Sequence, residues 1–230
     1  EVHVDGIPAD EDQRRMEAYA ARLRQELDGM IKREIDCSSP RLLLNTRRHG
    51  NARYVFAVND HRTWGERVGK WRSMLEKGLP EAATFEMADP GFEPAVYELL
   101  SHRRLPLIRR TNGNYAFELT VPAAGGAIVS ILPQVPGPLQ LHLPESLIPG
   151  KAALIRIDAG TEEGLRPLQV TIHSPDGTES EFSGYYLAEN GQCHIDMVPA
   201  VNDAPGLWNM KVRDLVTGQT VVGTWPLYKK

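Results

Sequence analysis

The stretch Pro149–Trp225, PGKAALIRIDAGTEEGLRPLQVTIHSPDGTESEFSGYYLAENGQCHIDMVPAVNDAPGLWNMKVRDLVTGQTVVGTW, decides the fold. Sharp turn signals punctuate it: Pro175-Asp176-Gly177, Glu189-Asn190-Gly191 and Pro205-Gly206. Between them, apolar and polar residues alternate, the pattern of half-buried strands. Strands are expected at Leu139–Leu143, Ala153–Asp158, Leu168–His173, Glu181–Leu187, Cys193–Val198, Trp208–Val212 and Gln219–Trp225. Seven strands in about 90 residues is the count of an immunoglobulin-like sandwich. No Cys…Trp…Cys spacing accompanies them, which excludes an antibody-type domain. No catalytic constellation stands out in this stretch, so it reads as a building block of a larger protein.

Upstream, Pro133-Gln134-Val135-Pro136-Gly137-Pro138 cannot continue a sheet interior and marks a domain boundary. A second β region precedes it, residues 39–135. Leu42–Thr46 and Tyr54–Val58 flank His49-Gly50-Asn51 as a hairpin. Further strands are expected at Ala83–Met87, Ala95–Leu100, Leu105–Ile108, Tyr115–Val121 and Ala127–Leu132, with a turn at Thr111-Asn112-Gly113-Asn114. One insertion breaks this pattern. Between Asp60 and Gly78, the residues Trp64, Val68, Trp71 and Leu75 recur at helical spacing and predict a short amphipathic helix. Residues 1–38 form an N-terminal helical segment. Met16, Tyr19, Ala20, Leu23, Leu27, Met30 and Ile31 make one apolar stripe, and the helix is expected to stop near Cys37-Ser38-Ser39-Pro40. The stripe is expected to pack on the first sandwich; a partner-binding or oligomerisation helix is the alternative. The fold class is therefore mainly β: two β-sandwich domains, the second immunoglobulin-like at 139–230, preceded by one amphipathic helix.

Composition narrows function by exclusion. The 230 residues are 41% hydrophobic and 24% charged, with a net charge of −4, which gives no support for a nucleic-acid binder. No apolar run approaches the roughly 20 residues of a membrane span. The chain begins Glu1-Val2-His3, which reads as a processed product or an excised piece, so the lack of a signal peptide is silent on compartment. Cys37 and Cys193 fall in different domains and in no Cys-x-x-Cys pair, so two buried thiols are expected and no structural zinc. His173 and His194 could meet across a sheet, but further metal ligands are wanting. No metal and no cofactor is expected.

The densest polar cluster is Asn59-Asp60-His61-Arg62-Thr63-Trp64. Asp60, Arg62, Trp64 and Trp71 could form a carbohydrate platform of aromatic faces and planar hydrogen-bonding groups. Arg62 could equally hold Asp60 in a bidentate pair that fixes the loop. Asp60 and Glu66 are the nearest carboxylate pair, and nothing enforces a glycosidase geometry on them. Charge is uneven: 13 Lys/Arg against 8 Asp/Glu over Arg41–Arg110, and 7 against 11 over Leu141–Lys230. Arg47, Arg48, Arg103, Arg104, Arg109 and Arg110 could make a basic face. The favoured reading is that they guard strand edges.

Two resemblances rest on particular residues. Leu147-Ile148-Pro149-Gly150-Lys151, Val170–Gly177, Glu189-Asn190-Gly191 and Ala204–Val212 resemble the succession found in macroglobulin-type and bacterial surface immunoglobulin-like modules. Arg47-Arg48-His49-Gly50, Tyr54–Asn59, Ala95–Leu100, Tyr115–Val121 and Ile128–Leu132 are similar to the small β-sandwich behind the catalytic barrel of many glycoside hydrolases, with Glu98 where aspartate is common. The resemblance implies a non-catalytic accessory region near the C-terminal end of a larger extracellular, periplasmic or cell-surface bacterial protein. Its partners would be other domains of that protein, or alternatively a polysaccharide. The family's catalytic residues lie in a barrel this chain lacks, so none is carried over and no enzyme activity is expected.

Overall fold

The computed structural model describes residues 10–31, 33–63, 67–68, 73–74, 77–160 and 163–228. They fall into two compact units, Glu1–Asp36 and Cys37–Lys230. In the first unit, helix α1 runs from Asp10 to Asp28. It ends well before the expected stop. Gly29 follows it, and the Leu27 carbonyl accepts the amides of both Met30 and Ile31, at 2.9 and 2.8 Å. Met30 and Ile31 thus leave the helical stripe. Arg33 bonds Asp28 at 2.9 Å and Asp36 at 3.3 Å, and Arg24 reaches Asp36 as well, which ties the chain after α1 back to it.

After α1 come strands β1 (Ile35–Cys37), β2 (Leu42–His49), β3 (Ala52–Asn59), β4 (Arg62–Thr63), β5 (Arg67–Val68), β6 (Ser73–Met74), β7 (Lys77–Gly78), β8 (Glu81–Met87), β9 (Ala95–Glu98), β10 (Arg103–Arg104), β11 (Ile108–Arg109), β12 (Tyr115–Val121) and β13 (Gly126–Leu132). These are followed by β14 (Gln140–His142), β15 (Ala153–Asp158), β16 (Leu165–His173), β17 (Gly184–Glu189), β18 (Gln192–Met197), β19 (Gly206–Asp214) and β20 (Thr220–Leu227). β1 stands at the boundary between the two units.

The first sandwich has a four-stranded sheet, β1-β8-β12-β11, and a five-stranded sheet, β10-β9-β13-β3-β2. Alternation sets its core. Ala83, Phe85 and Met87 on β8, and Tyr115, Phe117, Leu119 and Val121 on β12, are buried at every second position. Phe85 and Phe117 are cross-strand partners, stacked with centroids 5.1 Å apart. Val55, Ala57, Ala127, Val129 and Ile131 supply the inner face of the other sheet. Its outer face follows from register in four rows. His49 and Ala52, with Leu132 and Ala95, come first. Arg47, Tyr54, Ser130 and Tyr97 form the second row, Asn45, Phe56 and Ile128 the third, and Leu43, Val58 and Gly126 the fourth.

The insertion departs from the sequence reading. Where spacing predicts a helix, Arg62–Thr63 pairs with Lys77–Gly78, and Arg67–Val68 pairs with Ser73–Met74, both antiparallel. Val68 was assigned to the helical stripe and is instead extended. Trp64, Trp71 and Leu75 lie outside the described residues.

The second sandwich is one hydrogen-bonded sheet, β14-β15-β18-β17-β16-β19-β20, folded upon itself. The fold line is the β17–β18 hairpin. Asn190 and Gly191 take positive φ, +50° and +79°, as a tight two-residue hairpin needs. Only Glu189 and Gln192 then pair before the strands diverge. Ile155, Ile157, Cys193, Ile195 and Met197 therefore face Leu168, Val170, Ile172, Trp208, Met210, Val212 and Trp225 across one core. Leu147 closes the open end by a parallel bridge to Leu227. Gly223 lies where β14 approaches β20, and a Cβ there would meet Leu143 Cδ1 at 2.4 Å and push that side chain aside. Cys37 and Cys193 are both buried thiols, and burial pushes the Cys193 pKa up. No helix among the described residues is long and apolar enough to cross a membrane.

Candidate functional site

Two polar constellations stand out, one at the root of the insertion and one between the sandwiches. The first begins at Asn59, the last residue of β3 and fully inside. Its Nδ2 donates to the carbonyls of Leu79, Val121 and Pro122, at 2.8, 3.1 and 3.0 Å, and its Oδ1 accepts the His61 amide at 2.8 Å. One buried amide thereby ties together four backbone groups from both ends of the insertion and from the β12 terminus, its two N–H donors shared among three carbonyls. Beside it, Glu81 Oε1 accepts the Ser39 hydroxyl at 2.5 Å, and Oε2 lies 2.5 Å from His61 Nδ1, a close contact without hydrogen-bond alignment. The Ser39 hydrogen bond holds the Glu81 carboxyl below its usual range; burial opposes this, and His61 and Arg41 reinforce it.

A serine, a glutamate and a histidine in contact invite comparison with a nucleophilic triad. The connectivity is different. A triad needs the histidine between acid and serine, so that the imidazole takes the hydroxyl proton. Here the carboxylate lies between the other two, and Ser39 Oγ also accepts the Arg41 amide at 3.2 Å. The cluster clamps the β1–β2 connection to the start of β8, with the Ser39 hydroxyl donating to the carboxylate instead of to the imidazole.

Of the sequence-predicted site residues, Asp60 is exposed and its amide donates to the Arg41 carbonyl at 2.9 Å, continuing the β2–β3 ladder. Arg62 pairs with Gly78 through β4. Trp64 and Trp71 lie outside the described residues. Sequence reasoning named Asn59 in the polar cluster but gave the chemistry to Asp60 and Arg62, and it passed over Glu81. Asn59 carried a signal: an asparagine closing an alternating strand at a buried position must find several partners.

The second constellation was not foreseen. Arg166 and Asp214 are both 0% exposed and form a buried ion pair. Asp214 also accepts the Val216 and Thr217 amides, at 2.9 and 3.2 Å, and the Thr217 hydroxyl. Arg166 reaches the Gly137 carbonyl in the connecting segment at 3.4 Å. The pair belongs to the second sandwich, yet its field reaches Tyr97 of the first, whose phenol burial pushes up. Val216, in the turn that Asp214 organises, is buried among Ala52, Ala95, Tyr97 and Leu132. Tyr54 brackets one residue of the second sandwich, accepting the Leu165 amide at 2.6 Å and donating to its carbonyl at 3.0 Å. Gly164 lies so close that a Cβ would meet Ala52 Cβ at 3.0 Å, with φ +103° in addition. His102 Nδ1 meets the Leu215 carbonyl at 2.7 Å, and Asn51 donates to Glu163 at 2.7 Å.

The basic residues take their places with equal clarity. Arg47 and Arg48 are on β2 and Arg103 and Arg104 on β10, the two edges of the five-stranded sheet, while Arg109 is on β11, an edge of the other. His173 pairs with Asn209 and His194 with Arg156, on different layers of the second sandwich. Among the described residues no three His, Cys, Asp or Glu gather as a metal site.

No protein-family model matches the chain, those of glycoside hydrolases and macroglobulins included, and no curated protein matches it. Among solved structures it is similar to the superoxide reductase (neelaredoxin) of Ignicoccus hospitalis, with 10% identity over 40% of this chain and 82% of that one, and a TM-score of 0.30. It is similar to the CARDB domain of a Pyrococcus furiosus protein, solved with di-metal ions, at 13% identity over 42% of this chain and 90% of that one, TM-score 0.29. A tetra-tandem repeat from the extending region of a large adhesion protein gives 8% identity over 80% of this chain and 73% of that one, TM-score 0.30. Similarities this distant assign neither ligand nor partner.

The Glu81 clamp carries a signed pH dependence. A carboxyl depressed in the folded state contributes stability above its unfolded value, about 4.3, and loses it as pH falls through the folded value. Urea denaturation of wild type and Glu81→Gln is therefore expected to show a stability gap that is constant near neutrality and closes below about pH 4. A gap that does not change with pH would show that the carboxylate charge plays no part.

Proposed function

We propose that this chain is a non-catalytic accessory region of a larger secreted or cell-surface bacterial protein, where it acts as a rigid spacer and domain contact. The observation that carries the reading is the junction. Modules joined by a flexible linker swing freely; here the linker is stapled. Gly137 donates to the Gly160 carbonyl at 3.2 Å, and Leu139 donates to Gln219 Oε1 at 3.1 Å. With Tyr54, Val216 and His102 spanning the interface, the two sandwiches hold a fixed relative orientation, which a spacer needs if it is to set distance and direction. The extracellular or surface setting rests on the module resemblance alone.

Residual dipolar couplings test this. In the wild type, one alignment tensor should fit amides of both sandwiches. In Gly164→Leu, the added side chain forces the Ala52 contact apart, and the two tensors should diverge while each sandwich keeps its spectrum. Separate tensors in the wild type would refute the spacer reading.

A second reading, a carbohydrate-binding module using Asp60, Arg62, Trp64 and Trp71, draws support from the way Asn59 and the β4–β7 ladder fix the mouth of the insertion. Affinity electrophoresis through a panel of polysaccharides should then show retardation that Trp64→Ala abolishes in a folded protein. Unretarded migration through every polysaccharide would remove this reading.

A further inference from the structure

One outward face of the second sandwich differs in charge from the domain that carries it. Alternation buries Val170, Ile172, Met210, Val212 and Trp225 and turns the residues between them outward on β16, β19 and β20. Register then sets two rows across these strands: Thr171, Lys211 and Val222, and next to it His173, Asn209 and Thr224. These six residues line an open groove of about 760 Å³. The row on the other side of Lys211 holds Gln169, Arg213 and Thr220, and β17 adds Tyr185 beside Gln169, 76% exposed. No Asp or Glu occurs in the three rows, although Asp and Glu outnumber Lys and Arg by 11 to 7 over Leu141–Lys230. The flanking acids are Glu179, at the bridge to His173, and Glu189, which His49 engages at 3.4 Å. Among the described residues, neither Lys211 nor Arg213 meets a carboxylate.

We propose that this face is a binding site for an acidic polysaccharide, a sugar chain carrying carboxylate or sulfate groups. Charge complementarity names the occupant. Lys211 and Arg213 are two residues apart on one strand, about 7 Å along the sheet. Each offers N–H donors for charge-assisted hydrogen bonds to an anionic oxygen. The neutral residues around them set the ligand class. Thr171, Asn209, Thr224 and Gln169 carry hydroxyls and amides that both donate and accept, as sugar hydroxyls do. Tyr185 supplies a flat apolar face with a polar tip, on which a sugar ring can lie. A nucleic acid, with a phosphate at every nucleotide, calls for a denser array of cations than these two. An anionic membrane calls for large apolar side chains that enter the headgroup layer, and Val222 is the one apolar residue in the three rows. The site is on a different sandwich from Asp60, Arg62, Trp64 and Trp71, so it is independent of that reading and of the spacer reading.

Isothermal titration calorimetry of the full chain tests this with polygalacturonate and dextran sulfate, against neutral dextran, poly-glutamate and phosphatidylglycerol vesicles. The expected result is binding to at least one of the two acidic polysaccharides, and which one binds identifies the anionic group. Neutral dextran should not bind. Affinity should fall with added salt, as the screening length drops from about 10 Å at 0.1 M to about 3 Å at 1 M. Lys211→Glu and Val222→Glu should each weaken binding at least about tenfold. Both positions are exposed, so the variants should fold; far-ultraviolet circular dichroism checks this, and Arg213→Gln replaces either one that does not. Lys151→Glu makes the same charge change in an exposed turn of the same sandwich and should leave binding unchanged, as should Trp64→Ala. No binding to either acidic polysaccharide would overturn the proposal. So would equal losses in Lys151→Glu and Lys211→Glu, which attraction by net charge alone would give, or binding as tight to poly-glutamate or to the vesicles.

Discussion

The Arg166–Asp214 pair is the constraint on which the two-sandwich unit turns. Taking both charges out of water costs several kcal/mol for each ion, and their attraction repays it only when the remaining hydrogen-bonding capacity is met. Asp214 meets it through the Val216 and Thr217 amides and the Thr217 hydroxyl. Those same bonds shape the turn after β19 that carries Val216 into the first sandwich. The pair therefore stabilises the orientation of the two sandwiches as well as one strand end. Breaking such a pair by removing one partner typically costs about 3–5 kcal/mol, since a charge is left buried alone. At this site the cost would fall on the interface as much as on the second sandwich.

Much of the fold was legible in the sequence because alternation and turn chemistry are local. Asn190-Gly191 and His49-Gly50-Asn51 name their hairpins, and the strand from Leu168 to His173 declares its buried face by every second residue. The end of α1 was misplaced because Met30 and Ile31 keep helical spacing after Gly29 has ended the helix. The insertion was misread because the pairing of Arg67–Val68 with Ser73–Met74 is a cross-strand property that local spacing does not record.

The junction was illegible for a different reason. Arg166 and Asp214 stand 48 positions apart with no local pattern, and an isolated arginine in an alternating strand reads as solvent-facing. Pro133–Pro138 read as a boundary, and the strands do change sandwich there. Composition alone could not say that Gly137 is pinned to Gly160 and Arg166, which turns a boundary into a joint. The basic residues were read as strand-edge guards, with a basic face as the alternative, and topology places Arg47, Arg48, Arg103, Arg104 and Arg109 on the edge strands β2, β10 and β11.

If the junction is what the geometry indicates, the sandwiches are a single cooperative unit. Native-state hydrogen exchange in increasing urea measures this most directly, through the slowest amides of β12 and β13 in the first sandwich and of β16 and β19 in the second. The account predicts that all four strands converge on one opening free energy with one urea dependence. Two separate limits, with the second sandwich opening while the first stays protected, would contradict it.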